Sequence, residues 1–181
     1  MSSFSTLRTL SAASAVLACA AACAGDASPT NAVAAGTCGF ARFEPALLQS
    51  VNEFRASARR CGASGSFGPA APLRWNDTLA RLASTHAQGM ATRNEVEHTD
   101  AKGRGPADRA TAAGYAWQVF AENVAGNYPG TAEVMAGWQA SPGHCANLMN
   151  PAVREFGVGC APGVRGSAFK TYWAMELAKP R

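Results

Sequence analysis

Two histidines and one glutamate have the residue types and the settings of a chemical site. His98 follows a short acidic stretch, Glu122 is flanked by apolar residues, and His144 follows Ser141 across a rigid Pro-Gly turn. Two imidazoles and a carboxylate can bind a divalent metal such as zinc and leave positions open for water. They can equally form a metal-free acid–base set, because histidine titrates near neutral pH and burial raises the pKa of a glutamate. Spacing alone decides between these options poorly, since no short ligand motif is present.

Each of the three residues also has a purely structural interpretation. His98 can cap a helix end, Glu122 can accept backbone hydrogen bonds in a loop, and His144 can begin a short helix. The third histidine, His86, lies on the apolar stripe of a predicted helix, so we expect it to be packed and hydrogen-bonded in the core. Cys145 follows His144 directly, but adjacent side chains rarely meet, and we expect this cysteine to be disulfide-bonded rather than nucleophilic.

The elements that must position these residues follow from hydrophobic periodicity and turn residues. Helices are predicted over residues 44–60, from Asn76 or Asp77 to about Thr92, over 131–140 and, as a short turn, over 144–149. Strands are predicted over 156–160 and 169–177, and loops over 65–72 and 99–109. The pattern shows no internal repeat and no second domain, so one domain is expected.

The N-terminal residues are typical of a secretory signal. Arg8 is the only charge in residues 1–24, which continue as an unbroken small and apolar run and end in a small-x-small cleavage pattern. The run is too weakly apolar for a membrane-spanning helix, so we expect none in the mature protein. Lipid anchoring through Cys19 or Cys23 is the alternative. The sequence therefore predicts a secreted or periplasmic protein, with a flexible leader over residues 25–43 and one domain over 44–181.

Four cysteines remain outside the predicted signal, an even number in an exported chain. Among the three possible pairings we favour the one that is local in sequence, Cys38 with Cys61 and Cys145 with Cys160. Zinc is the alternative role for four cysteines, but the chain has no CxxC pair. Oxidised pairs are therefore expected.

The charge pattern does not indicate a nucleic-acid partner. The formal net charge is +4, and the basic residues are scattered without a run or interleaved aromatic residues. We expect a monomer with a plain solvated surface.

Ten short motifs, in order, resemble the CAP superfamily of cysteine-rich secretory proteins, antigen 5 and pathogenesis-related proteins. The resemblance covers about residues 44–178. Its pieces include LQSVNEFR at 48–55, PLRWN at 72–76, His86-Ala87, His98, Gly114-Tyr115, Glu122-Asn123, Trp138 with SPGH at 141–144, Asn147-Leu148 and GVG at 157–159.

The resemblance implies an α+β fold, an α-β-α sandwich with a small antiparallel sheet between helices and a cleft over one face. It places His98 and Glu122 on two of the family's four cleft positions, while His144 matches the bacterial branch. The family's second glutamate falls near Ser141 and its second histidine near Tyr172, so the eukaryotic tetrad is incomplete. Ser141, Tyr172 and Asn123 are expected to line the cleft.

Two functions of different classes follow from these expectations. In the first, the domain is a secreted or envelope binding module whose His/Glu cleft holds a small apolar ligand or a peptide. In the second, His98, Glu122 and His144 form the centre of a metal-dependent or acid–base hydrolase acting on extracellular or envelope material. The sequence leaves open whether the protein is an enzyme.

Overall fold

The computed structural model describes Met1 and residues 36–181. Residues 2–35 contain the rest of the predicted signal and the cysteines proposed for lipid anchoring, so these predictions lie outside the described residues. The described helices and strands are α1 Phe43–Arg55, β1 Arg59–Arg60, β2 Ser66–Phe67, β3 Arg74–Trp75, α2 Asp77–Arg93, α3 Pro106–Ala112, β4 Trp117–Gly126, α4 Thr131–Ala140, α5 Pro142–Met149, β5 Glu155–Pro162 and β6 Thr171–Pro180. Within this part of the chain, no helix combines the length and the apolar character that crossing a bilayer requires.

The central sheet has four strands in the order β3-β5-β6-β4. The three long strands, β4, β5 and β6, are antiparallel, as expected. The short strand β3 differs, because it pairs with β5 in parallel, with Arg74 opposite Glu155. Parallel pairing needs a long crossover, which the helices and β4 between β3 and β5 provide. The sheet is therefore mixed, with β4 at one edge.

Helices cover both faces of this sheet, and the fold is the predicted α-β-α sandwich. Side chains of successive strand residues point to opposite faces. In β6, Trp173 and Met175 pack into the core cluster that contains buried residues of α1, α4 and α5. Ala174 between them packs into the second cluster, which contains Ala83 and Ala87 of α2. The sheet is thus sandwiched between α2 on one face and α1, α4 and α5 on the other.

Helix α2 begins and packs as its sequence predicts. The side chain of Asn76 accepts hydrogen bonds from the backbone N–H groups of Thr78 and Leu79, which have no partner within the helix. The helix lies directly on β5, where Gly157 and Gly159 leave room for its backbone. A Cβ at Gly157 would lie 2.1 Å from the backbone nitrogen of Ala80. This close approach fixes α2 against the sheet.

Helix α1, helix α3 and strand β4 are among the elements that differ from the sequence prediction. Helix α1 ends at Arg55 rather than at residue 60, and its last side chain is buried, donating to the carbonyl of Ala71 at 2.8 Å. The predicted loop over 99–109 ends in helix α3, which begins at Pro106, a residue favoured in the first helical turn. Strand β4 was not predicted, because polar residues interrupt its apolar alternation.

The disulfide connectivity also corrects the sequence prediction. Cys38 is bonded to Cys160 and Cys61 to Cys145. The sequence-local pairing, Cys38–Cys61 and Cys145–Cys160, is wrong because the N-terminal arm runs along β5, where Thr37 pairs with Cys160. Both bonds therefore join segments that are distant in the chain.

Part of the predicted flexible leader is held against the domain. Besides the disulfide of Cys38, the ring of Phe40 stacks on Trp173 with centroids 5.5 Å apart. Residues 36–42 therefore belong to the folded unit.

Candidate functional site

Glu122 lies at the centre of the site, on edge strand β4. Its side chain shares the face of its neighbour Val124, which packs with the cluster of α2, and only 1% of it is exposed. The Nδ1–H of His98 donates to its Oε1 at 2.8 Å. The Nε2 of His86, on α2, lies 3.6 Å from its Oε2. A buried carboxylate thus holds the imidazole of His98, whose side chain is 52% exposed.

Arg109 of α3 completes the surroundings of this carboxylate. Its Nη2 donates to Oε2 of Glu122 and lies 3.4 Å from Oε1 of Glu176. Its Nη1 donates to the backbone carbonyl of His98 at 2.6 Å. The guanidinium of Arg109 therefore binds the side chain of Glu122 and also fixes the backbone of the loop that carries His98. It supports the direct hydrogen bond between these two predicted site residues.

A second carboxylate lies beside the first, on the neighbouring strand of the sheet. Glu176 of β6 pairs directly with Glu122 in the strand register and is fully buried. Burial raises the pKa of Glu176 well above its usual range, and the negative charge of Glu122 raises it further. The surroundings therefore favour the protonated form of Glu176, while Glu122 is the carboxylate that pairs directly with Arg109.

The two predicted site histidines have pKa values shifted in opposite directions. The hydrogen bond to Glu122 raises the pKa of His98, because it stabilises the charged imidazolium. Burial lowers the pKa of His144, and the charge of His98 lowers it further. His144 therefore lies within electrostatic range of His98. The site therefore favours the charged form of His98 and the neutral form of His144 more than water does.

Asn123 positions the helix that carries His144. Its side chain is fully buried, and its Nδ2 donates to the backbone carbonyl of His144 at 3.3 Å. Asn147, one turn later on α5, donates from its Nδ2 to Oδ1 of Asn123 at 2.8 Å and to the carbonyl of Glu122 at 3.0 Å. Ser141 is the partly exposed residue between α4 and α5, and its carbonyl accepts from the N–H of Cys145. These contacts tie α5 to β4.

Tyr172 does not belong to this site, which corrects its assignment to the cleft. Its strand position lies opposite Gly126, four residues from the Glu122–Glu176 pair, or about 13 Å along a strand. The side chain is fully buried, stacks edge-on against Phe169, and donates from its hydroxyl to Oδ1 of Asn94 at 2.7 Å. Tyr172 is a core residue.

The residues present do not fit a bound metal. Among residues 36–181, no group of three or more His, Cys, Asp or Glu side chains is arranged to hold a metal ion. Glu122 uses one oxygen for His98 and the other for Arg109. The adjacent guanidinium would also repel a dication. The predicted zinc set of His98, Glu122 and His144 therefore plays no part in the function proposed below.

Two residues of the site were not predicted from the sequence. Glu176 interrupts an otherwise apolar strand, and a charge in such a position is a signal that could have found it. Arg109 lies in a polar segment and carries no such signal. The core role expected for His86 is confirmed, since it is buried and its Nε2 lies 2.8 Å from the carbonyl oxygen of Glu97.

The protein is an α-β-α sandwich in which a buried glutamate binds a half-exposed histidine. Comparison with known proteins identifies its family. Residues 48–177 match the family model described as CAP, cysteine-rich secretory protein family. The chain therefore belongs to this family, as its motifs predicted.

Individual relatives are more distant. The uncharacterized protein YkwD of Bacillus subtilis (strain 168) is 31% identical over 88 residues, which cover 49% of this chain and 34% of that protein. An extracellular protein containing an SCP domain from Bacillus anthracis str. Ames superposes with a TM-score of 0.53 at 23% identity. The match covers 61% of this chain and 34% of the Bacillus anthracis chain. An outer surface protein of Borrelia burgdorferi has a TM-score of 0.56 at 20% identity, covering 62% and 80%. The chain thus spans about a third of the two Bacillus proteins.

Proposed function

We propose that the protein is an extracellular binding module whose cleft, formed by His98, Glu122 and His144 beside strand β4, binds a peptide segment. The observation that carries the proposal is the half-exposed imidazole of His98 held by a buried carboxylate. Because its Nδ1 is fixed, its Nε2 is the ring atom left to donate a hydrogen bond. A peptide carbonyl or carboxylate is a suitable acceptor.

The state of Glu122 supports binding rather than catalysis by this carboxylate. Both of its oxygens have positively charged or imidazole partners, and its side chain is almost fully buried. A general base must reach the proton that it removes, and a carboxylate engaged on both oxygens has no free position to do so. Glu122 therefore orients His98 and raises its pKa.

The polarity of the surface supports a peptide over a small apolar ligand. Apart from Met1, the exposed large hydrophobic side chain of the described chain is Val164, in the β5–β6 loop, and it is 74% exposed. A single exposed valine is ordinary and does not form an apolar patch. Of the residues assigned to the cleft, His98 is half exposed and His144 and Ser141 are partly exposed, and all three carry polar groups. Such groups recognise hydrogen-bonding ligands.

Two features support an extracellular location. The chain has two disulfide bonds, which persist in oxidising compartments and are rare in the cytosol. The structural relatives include one protein described as extracellular and one described as an outer surface protein. These features agree with the export signal predicted for the N-terminal residues.

Selection from a random peptide display library, followed by affinity measurements, tests the proposal. We expect the selected peptides to bind His98→Ala at least tenfold more weakly than wild type, because one charge-assisted hydrogen bond is worth about 1.5–3 kcal/mol. Tyr172→Phe is the matched control, since it changes a buried hydroxyl outside the cleft, and it should bind normally. Enrichment of no peptide, or equal binding by His98→Ala, would contradict the proposal.

Acid–base hydrolysis is a second candidate, and the opposite pKa shifts of the two histidines favour it. Paired groups whose pKa values are pushed apart are typical of an acid and its base. Neutral His144 would take a proton from water, and charged His98 would donate one to the leaving group. If this is correct, the selected peptides are cleaved by wild type, and His144→Ala abolishes cleavage while retaining affinity. If the selected peptides stay intact after prolonged incubation, hydrolysis of these peptides is excluded.

A further inference from the structure

A cavity lies between α2 and α3, and Arg109 and His86, which also contact or approach Glu122, are among its lining residues. Its volume is about 390 Å³, within the range of small-molecule sites. Four arginines line it, Arg81, Arg93, Arg104 and Arg109, whereas Asp100 is the single acid among its described lining residues. His98 and His144 do not line it. The cavity therefore has the charge and size of a site for a small anion.

The arginines differ in how far nearby acids neutralise them. Arg104 pairs with Asp100 at 2.8 Å, and Arg93 lies 3.6 Å from Glu95. Arg109 pairs with Glu122 behind the cavity wall, as described above. Arg81 forms no ion pair with any described residue, and its Nη2 donates only to the hydroxyl of Thr78, at 2.9 Å. Its charge is therefore available to a ligand.

Two residues that line the cavity, Arg109 and His86, each have a buried nitrogen atom with unused hydrogen-bonding capacity. Nε of Arg109 and Nδ1 of His86 have no hydrogen-bond partner within residues 36–181, although their side chains are only 7% and 1% exposed. Nε2–H of His86 donates to the carbonyl of Glu97, so Nδ1 is an acceptor in the neutral ring. Buried polar atoms normally have partners. A ligand can supply an acceptor for the first atom and a donor for the second.

We infer that this cavity binds a small hydroxylated organic anion, a carboxylate or a phosphate. Its anionic oxygens accept hydrogen bonds from Arg81 and from Nε of Arg109, and a hydroxyl group donates to Nδ1 of His86. Its carbon skeleton lies against Leu82 and Ala113, which also line the cavity. Guanidinium groups suit both kinds of oxyanion, because both accept paired hydrogen bonds. The inference does not depend on peptide binding, since His98 lies outside the cavity.

Calorimetric titration of the protein with glucuronate, glucose 6-phosphate and neutral glucose tests this inference. Arg81→Gln removes the unpaired charge, and Ala113→Trp fills the cavity from its exposed rim. Arg165→Gln, in the exposed β5–β6 loop, is the matched control for the loss of one positive charge. Thermal unfolding of each variant establishes that it is folded.

We expect at least one of the two anions to bind wild type while glucose binds at least tenfold more weakly. Arg81→Gln should weaken anion binding about tenfold, Ala113→Trp should abolish it, and Arg165→Gln should leave it unchanged. The anion that binds then identifies the oxyanion as carboxylate or phosphate. Binding of neither anion, equal binding of glucose, or equal anion binding by folded Arg81→Gln and Ala113→Trp would overturn the inference.

Discussion

The buried charge of Arg109 needs one ionised carboxylate, and the structure offers two that can provide it. In wild type Glu122 pairs directly with Arg109, and burial together with the charge of Glu122 raises the pKa of Glu176. Glu122→Gln removes the charge, so the pKa of Glu176 should fall. Glu176 can then ionise and pair with Arg109, whose Nη2 already lies 3.4 Å from its Oε1. The two glutamates should therefore compensate for each other.

The expected magnitudes follow from burial. Glu176→Gln replaces a neutral carboxyl by a neutral amide and should cost about 0–1 kcal/mol of unfolding free energy. In Glu122→Gln the partner of Arg109 becomes Glu176, which lies farther away. This variant should therefore lose about 1–2 kcal/mol of unfolding free energy. The double variant leaves Arg109, only 7% exposed, without an ionised partner, which costs about 3–5 kcal/mol. The double loss should thus exceed the sum of the single losses by about 1–3 kcal/mol.

Urea unfolding of the four proteins at pH 7 measures this coupling. Glu133→Gln, an exposed glutamate on α4, is the control and should lie within about 0.5 kcal/mol of wild type. In thermal melts the double variant should unfold about 6–20 °C below wild type, since each kcal/mol is worth about 2–4 °C in a chain of this size. Additive losses would refute the interpretation that either carboxylate can serve as the ionised partner of Arg109.

Three further predictions concern pH, the disulfides and the core. Because the pKa of Glu176 is raised above its usual 4.5, its contribution to stability is fully present below that pH and is lost as the pH rises through the folded-state value; melts against pH should show this decline, and Glu176→Gln should flatten it. Replacing Cys38 and Cys160 by alanine opens a link of 122 residues and should cost about 5 kcal/mol on the chain-entropy model, measured by urea unfolding. Tyr172→Phe should lower stability by about 1 kcal/mol through its lost bond to Asn94, and unchanged stability would argue against that bond.

The sequence predicted the elements whose signals are local. Helix α2 was found from its apolar stripe and cap, and α4 from its periodicity and the Ser-Pro-Gly that ends it. Strand β4 was missed because it contains the polar residues Glu122 and Asn123. They are buried because their hydrogen-bonding and pairing partners are provided by other elements. Their partners come from α3, α5 and β6, which local periodicity does not reveal.

The candidate site was predicted in part for the same reason. The sequence selected His98 and Glu122, and the structure joins them by a hydrogen bond. Residue spacing could not show that Arg109 would bind Glu122, nor that strand register would place Glu176 opposite it. The predicted disulfide pairing was wrong for a similar reason. Proximity in sequence does not show that the N-terminal arm lies along β5.

Glu122 raises the pKa of His98 and so favours its charged form as the recognition group, whereas burial lowers the pKa of His144. An NMR titration of the histidine ring protons against pH tests these two shifts most directly, on wild type and on Glu122→Gln. The account predicts a pKa for His98 above the ordinary 6.5 in wild type, a lower one in Glu122→Gln, and a pKa for His144 below 6.5 in wild type. A His98 that titrates at 6.5 or below in wild type, or identically in both proteins, would contradict the account.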